Sequence, residues 1–256
     1  MKKTITKKSS KKTTNPTNKS SKKVEFSNTE KAQINTSRAI YDDFNSFIFS
    51  DDTKVLGKLV ARTLLAEKTR YIPGDIVEVG VFKGSGMLTW LKLKKLLFPN
   101  SMKKVLGFDF FDTKSLTDSL SGIDKLRMSE LFSDRNFEHK NDALKMIDTQ
   151  IKSAGYTAAD YELIPGDIAK TAPTFNEKRP GFKISLLYLD LDIEEPTYAA
   201  LEAFWDRVSR GGIVVFDEYA YHQWSESKAV DRFFADKKVE IKILDFMCPT
   251  AYIIKE

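Results

Sequence analysis

Cysteine is almost absent. Cys248 is the only one in 256 residues, so no intrachain disulfide can form and a reducing compartment is the default. Histidine is nearly as scarce, at two, which leaves no cluster of sulfur and imidazole ligands. No apolar run approaches the roughly 18–20 residues that span a bilayer, and the N-terminus lacks the apolar stretch of a secretory signal. These absences predict a cytoplasmic protein without a membrane span. Acidic residues are missing altogether from residues 1–23, which hold nine lysines. Without that stretch, 32 basic residues face 36 acidic ones, so the net charge of +5 describes the terminus and the remainder is mildly acidic. That balance argues against a basic face for nucleic acid.

Residues 1–23 contain only Lys, Ser, Thr, Asn, Pro, one Met and one Ile. They cannot bury enough apolar surface to offset the entropy of ordering, and are expected to be a disordered, solubilising tail. A polybasic arm for nucleic acid or anionic lipid is the alternative. Residues 24–53 read as an N-terminal helical extension: Ser27-Asn28-Thr29-Glu30 offers caps, and Ile34, Ile40, Tyr41, Phe44, Phe47 and Ile48 recur at helical spacing. Ser50-Asp51-Asp52 interrupts it and can cap a second helix whose buried face would carry Val55, Leu56, Leu59, Val60, Leu64 and Leu65. Pro73-Gly74 ends that helix, and residues 54–256 are expected to form one domain.

Beyond it, short β-rich runs alternate with helical stretches. The expected strands are Asp75–Gly80, Lys104–Asp109, Tyr161–Pro165, Ile184–Asp190, Gly212–Asp217, Val239–Leu244 and Thr250–Ile254. Helices are expected near Gly86–Phe98, Asp142–Ala154, Thr197–Ser209 and Ser225–Lys237. Such alternation implies right-handed βαβ units: an α/β, Rossmann-like, mostly parallel seven-stranded sheet with helices on both faces. Only Asp245–Pro249 separates the last two strands, too little for a parallel crossover, so they should pair antiparallel at the sheet edge.

Four constellations sit at the C-terminal strand ends, where open α/β sheets bind ligands. Val77-Glu78-Val79-Gly80-Val81-Phe82-Lys83-Gly84-Ser85-Gly86 follows a strand and opens a helix. Its glycines let the backbone turn tightly against a ligand, and the helix start supplies free N–H donors. It matches neither GxGxxG nor GxxxxGK[ST], which speaks against NAD and nucleoside triphosphates. In Gly107-Phe108-Asp109-Phe110-Phe111, Asp109 can accept from both hydroxyls of a ribose and Phe110 can pack on an adenine. Pro165-Gly166-Asp167-Ile168 follows the third strand, and Asp167 could accept from an adenine amino group.

The fourth is the sharpest. Leu189-Asp190-Leu191-Asp192 and Phe216-Asp217-Glu218-Tyr219 end consecutive strands, and neighbouring parallel strands lie about 4.8 Å apart. Four converging carboxylates repel one another and call for a cation. Oxygen-only ligation suits Mg²⁺ better than Ca²⁺ or Mn²⁺.

The runs GDIVEVGVFKGSG, GFDFF, LLYLDLDIEEPTYAALEAFWDRVSRGGIVVFDEY and ESKAVDRFF resemble the macrocin O-methyltransferase family, metal-dependent class I enzymes that methylate sugar hydroxyls. The resemblance covers roughly residues 54–255. It implies S-adenosylmethionine and Mg²⁺ as cofactors. Glu78, Gly80, Asp109 and Asp167 stand at cofactor positions, with Gly84, Ser85, Gly86, Phe110 and Ile168 beside them. Asp190, Asp217 and Glu218 stand at metal positions and Asp192 at the general-base position. Glu218 replaces the family's usual second Asp, and Leu191 replaces the Gly of D-G-D.

His222 and His139 are rival bases. The segment 112–141 is long for a βα connection and could serve as a lid. The leading expectation is an O-methyltransferase acting on a sugar of a nucleotide, glycan or natural product. The alternatives are a Mg²⁺-dependent O-methyltransferase of catechol-like or other small acceptors, and a cofactor-binding protein without turnover. The acceptor is expected to be a small molecule or glycan rather than nucleic acid, and a homo-oligomer is left open.

Overall fold

A computed structural model describes residues 27–134, 143–246 and 248–256. The lysine-rich stretch 1–23 and His139 lie outside the described residues. The chain divides into two units, Met1–Asp51 and Asp52–Glu256. Of the first, helix α1 (Asn28–Ile48) is described, and its second half carries exposed Ile40, Tyr41, Phe44 and Ile48.

The second unit starts with α2 (Thr53–Lys68), whose first turn is capped by Asp52 accepting from the Val55 N–H at 2.8 Å. There follow β1 (Asp75–Val79), α3 (Ser85–Leu97), β2 (Val105–Asp109), α4 (Thr113–Ser119), α5 (Gly122–Asp134), α6 (Ala143–Ser153) and β3 (Tyr161–Pro165). Then come α7 (Ile168–Lys178), β4 (Ile184–Leu189), α8 (Glu194–Phe204), β5 (Val208–Phe216), α9 (Glu226–Phe234), β6 (Lys242–Ile243) and β7 (Ala251–Ile254). The seven strands form one sheet in the order β3-β2-β1-β4-β5-β7-β6. The first five run parallel, and β7 is antiparallel to both β5 and β6. This is the Rossmann-like sheet that the alternation predicts. Among the described residues, no helix is long and apolar enough to cross a membrane.

Side-chain alternation along the central strands feeds two cores. From β4, Ile184, Leu187 and Leu189 pack with Ala172 and Phe175 of α7, Leu201 and Phe204 of α8, and Val230 of α9. Leu186 and Tyr188 face the other way, toward Leu65 of α2, Met87, Trp90 and Leu91 of α3, and Ile147 and Ile151 of α6. A strand covered on both faces needs a nearly continuous apolar run, which Ile184–Leu189 supplies apart from Ser185, whose hydroxyl donates to the Asp75 carbonyl.

The structure corrects five expectations. Helix α7 was not foreseen: Asp167 caps its start, and the helix carries Pro173 inside it. Helix α8 stops at Phe204, and after the 3₁₀ turn of Trp205–Arg207 strand β5 begins at Val208 instead of Gly212. Strand β6 shrinks to two residues. On α2 the buried stripe is Ala61, Arg62, Leu65 and Ala66, whereas Val55, Leu56, Leu59, Val60 and Leu64 are exposed. Small residues let the helix approach the sheet, and Arg62 finds a carboxylate there. The segment expected as a long loop holds α4 and α5.

Candidate active site

Two glycines shape the first half of the site. A Cβ on Gly80, whose φ is +93°, would stand 1.9 Å from the Asp190 carbonyl oxygen. Gly80 thus lets β1 and β4 end side by side. A Cβ on Gly86 would stand 1.9 Å from Oε1 of Glu78, so its absence makes room for that carboxylate. Glu78 is buried, with Arg62 at 3.3 Å from Oε1, and Oε2 has no partner among the described residues. Burial pushes its pKa up to about 8, against the pull of Arg62. Gly84 caps α3 in the left-handed region, packed against Ile147.

Asp109, the last residue of β2, accepts three main-chain N–H groups: Val81 at 2.8 Å and Phe82 at 3.0 Å on Oδ2, and Phe111 at 2.8 Å on Oδ1. Phe82 and Phe111 both have positive φ, 51° and 53°, a conformation that costs a bulky residue free energy. The carboxylate pins both loops in that shape. Of the roughly four acceptor sites of a carboxylate, about one, on Oδ1, remains for a ligand donor. Asp167 accepts from the Ala169 N–H at 3.1 Å and pairs with Lys170 at 3.3 Å, so its carboxylate serves as the α7 cap.

The second half is acidic. Asp190 and Asp192 follow β4, and Asp217 and Glu218 follow β5. Asp217 is buried: Oδ1 accepts from the Tyr188 hydroxyl and Oδ2 from the Lys58 ammonium at 2.8 Å. Lys58 also lies 3.7 Å from Asp190, and Arg62 lies 4.0 Å from it. The Arg62 guanidinium stacks over Tyr188 at 4.7 Å and Trp90 at 5.5 Å. Burial pushes Asp190 up to about 7, Asp217 adds repulsion, and Lys58 and Arg62 oppose both. Burial would depress Lys58, but Asp190 and Asp217 outweigh it and hold its pKa above the usual lysine range.

Asp192 adopts φ +65°, and its carbonyl accepts from the N–H groups of Ser225 and Glu226 at the start of α9, at 3.0 and 3.2 Å. Burial, then repulsion from Asp190, Glu218 and Asp217, raises its carboxyl well above the usual range. Glu226 is fully buried and also raised, chiefly by burial, and its Oε2 accepts from the Glu218 N–H at 2.6 Å.

Asp217, Glu218 and Cys248 bring potential ligand atoms within 4.8 Å of one another. Burial holds the Cys248 thiol well above its usual pKa, and it donates to Glu218 Oε1 at 3.2 Å. In the ion-free protein it is therefore a thiol that donates, not a thiolate. Glu218 Oε2 is buried without a partner among the described residues. An orphaned carboxylate oxygen beside two further carboxylates fits a hard divalent cation.

Both halves open into one cavity of about 440 Å³. Glu78, Gly80, Ser85, Gly86, Asp109, Phe110, Ile168, Asp190, Asp192, Asp217 and Glu218 line it, as the sequence suggests. Gly84, Asp167 and His222 are not in its wall; His222 is exposed, its ring against Tyr221. The sequence reading missed Lys54, Lys58 and Arg62 from α2, the apolar wall of Leu116, Met128, Leu131 and Phe132 from α4 and α5, and Trp224. Lys54, Lys58 and Arg62 recur every four residues, a one-sided helical stripe that could have flagged them.

Residues 4–252 match the family model described as macrocin-O-methyltransferase (TylF). The chain belongs to this family. A relative from Streptomyces olivaceus, 8-demethyl-8-(2,3-dimethoxy-alpha-L-rhamnosyl)-tetracenomycin-C 4'-O-methyltransferase, is 26% identical over 58% of this chain and 54% of its own. Demethyldecarbamoylnovobiocin O-methyltransferase from Streptomyces niveus is 27% identical over 58% and 53%. The chain thus matches about half the length of these curated relatives. The solved O-methyltransferase NovP has the same class I methyltransferase fold, with a TM-score of 0.63 at 21% identity over 78% of this chain and 79% of that one.

Proposed function

We propose that this family member transfers a methyl group from S-adenosylmethionine to a hydroxyl of a sugar, nucleotide-linked or carried on a glycan or natural product. A divalent cation, Mg²⁺ foremost, belongs to the same reading. The observation that carries it is the opening of Glu78 with its glycine loop, and of Asp190, Asp192, Asp217 and Glu218, into one cavity. Two curated relatives, O-methyltransferases of a rhamnosyl-tetracenomycin and of demethyldecarbamoylnovobiocin, support the reaction class.

A sugar hydroxyl is a poor nucleophile at neutral pH. A bound divalent cation supplies Lewis acidity that makes the hydroxyl easier to deprotonate, and the sulfonium supplies an electrophilic methyl. The rest falls to the chain. Glu78 presents its unpartnered oxygen to a polar donor of the cofactor, while Phe110 and Ile168 furnish apolar wall. Asp190, Asp217 and Glu218 are the carboxylates available to a cation. Asp192 takes the hydroxyl proton at its carboxylate, which burial and the neighbouring carboxylates make more basic than an ordinary aspartate. Leu116, Met128, Leu131 and Phe132 keep water from the reacting groups. Much of the catalysis then lies in alignment of oxygen, methyl and sulfur.

The test is a panel of nucleotide sugars and glycosides with radiolabelled methyl donor. Label should enter a sugar, vanish with EDTA and return with Mg²⁺. Full incorporation in EDTA would remove the cation from the reading. Incorporation confined to catechol-type acceptors would remove the sugar.

A further inference from the structure

Lys58 stands among carboxylates where the sequence suggests no positive charge. Its ammonium reaches Oδ2 of Asp217 at 2.8 Å and Oδ2 of Asp190 at 3.7 Å, so one monovalent cation already bridges the ends of β4 and β5. The other oxygen of Asp217 is taken by the Tyr188 hydroxyl. We propose that Lys58 is an internal competitor for the divalent cation: it holds Asp190 and Asp217 together in the cation-free protein and must withdraw when a divalent ion binds them. This rests on the cation reading given above.

The geometry supplies the competition. A divalent ion ligated by Asp190 and Asp217 needs the oxygens that Lys58 engages, at metal–oxygen distances of about 2.1 Å. An ammonium at hydrogen-bond distance from the same oxygens would repel it strongly in this partly dehydrated setting. Lys58 also has a way out. Its side chain is 26% exposed, on a flexible four-carbon stem, whereas the Arg62 side chain is only 8% exposed and stacked on Tyr188 and Trp90. Glu218 Oε2, buried without a partner among the described residues, is a further acceptor that Lys58 leaves unserved and a divalent ion can use. Lys58 thus keeps the carboxylates from spreading apart while no ion is bound, and weakens the apparent affinity for the ion.

Calorimetric titration of Mn²⁺ into the full chain tests this. Lys58→Met should bind Mn²⁺ on the order of tenfold more tightly than wild type, the usual size of a coupling between two ligands of one site. Lys58→Arg, which keeps the charge, should show no such gain. Asp217→Asn should lose Mn²⁺ binding in either background, which locates the ion. In thermal melts, Lys58→Met should fall below wild type without the ion and gain more from saturating Mn²⁺. Should Lys58→Met not fold, wild-type protein still answers: Mn²⁺ should speed acylation of the Lys58 amine several-fold. Equal or weaker Mn²⁺ affinity in Lys58→Met, a gain in Lys58→Arg, or Lys58 acylation unchanged by Mn²⁺ would overturn the competitor and leave the cation reading standing. No Mn²⁺ binding by wild type or Lys58→Met would overturn both.

Discussion

Asp109 and Asp217 both stand at the C-terminal ends of parallel strands, and the chain treats them in opposite ways. Asp109 is held by main-chain N–H groups from the two loops beside it. Asp217 is held by side chains, the Tyr188 hydroxyl 29 residues away and the Lys58 ammonium 159 residues away. Main-chain donors come with the fold and cannot leave. Side-chain cations can be displaced, titrated or mutated. The half around Asp109, proposed for the cofactor, is therefore built as architecture, while the acidic half is a balance of charges that a ligand can tip.

The sharpest way to break this comparison is to neutralise one acid in each half. Asp217→Asn should reduce turnover to background while calorimetry still shows cofactor binding, because the cofactor groups lie at the first strand ends. Asp192→Asn should slow the chemical step roughly 10²–10⁴-fold in single-turnover measurements. Loss of cofactor affinity in either variant would mean that the halves are not separable. Asp109→Ala should weaken cofactor binding by about 1–3 kcal/mol. It should also lower Tm by about 2–4 °C for each kcal/mol of stability lost, because three N–H groups lose their acceptor. Weakened binding with an unchanged melt would recast Asp109 as a ligand contact alone.

Glu78 gives a pH test. Unfolded it titrates near 4.5, and in the fold near 8, so between those values the folded protein holds a proton that the unfolded chain has released. Stability then falls as pH rises through that window, with a slope of up to ~1.4 kcal/mol per pH unit. Glu78→Gln should flatten the profile in denaturant titrations from pH 5 to 8, and an unchanged slope would count against a protonated Glu78. The smallest effect is expected at Asp167. Asp167→Ala removes a helix cap and should cost about 1 kcal/mol of stability with cofactor affinity unchanged. A drop in affinity would restore the adenine contact that the sequence suggests.

The sheet was legible because each central strand is a short apolar run that ends in Asp, Glu or Gly, and those ends are where the site lies. Helix α7, with Pro173 inside it, was missed, and the true face of α2 was hidden by its larger residues: Leu59 and Leu64 caught the eye, while Ala61 and Ala66 pack. Helical periodicity says that a stripe exists, but not which stripe the sheet can accept. Lys58 was illegible for a different reason. Its role depends on two carboxylates more than a hundred residues away: the stripe of Lys54, Lys58 and Arg62 marks a face of α2 but not what that face meets.

The left-handed backbone at Asp192 carries a lesson for reading other chains of this kind. Only Gly, Asn and Asp enter that conformation readily, and the start of α9 holds the Asp192 carbonyl in place. Position 192 therefore accepts an alphabet of about three letters, of which one bears a charge. Asn there keeps the shape and deletes the proposed base, so it separates chemistry from conformation in a way that Ala, with its own strain, does not. A β-branched residue at the matching position of a relative would mark a chain whose strand end has been rebuilt as well as one that has lost its base.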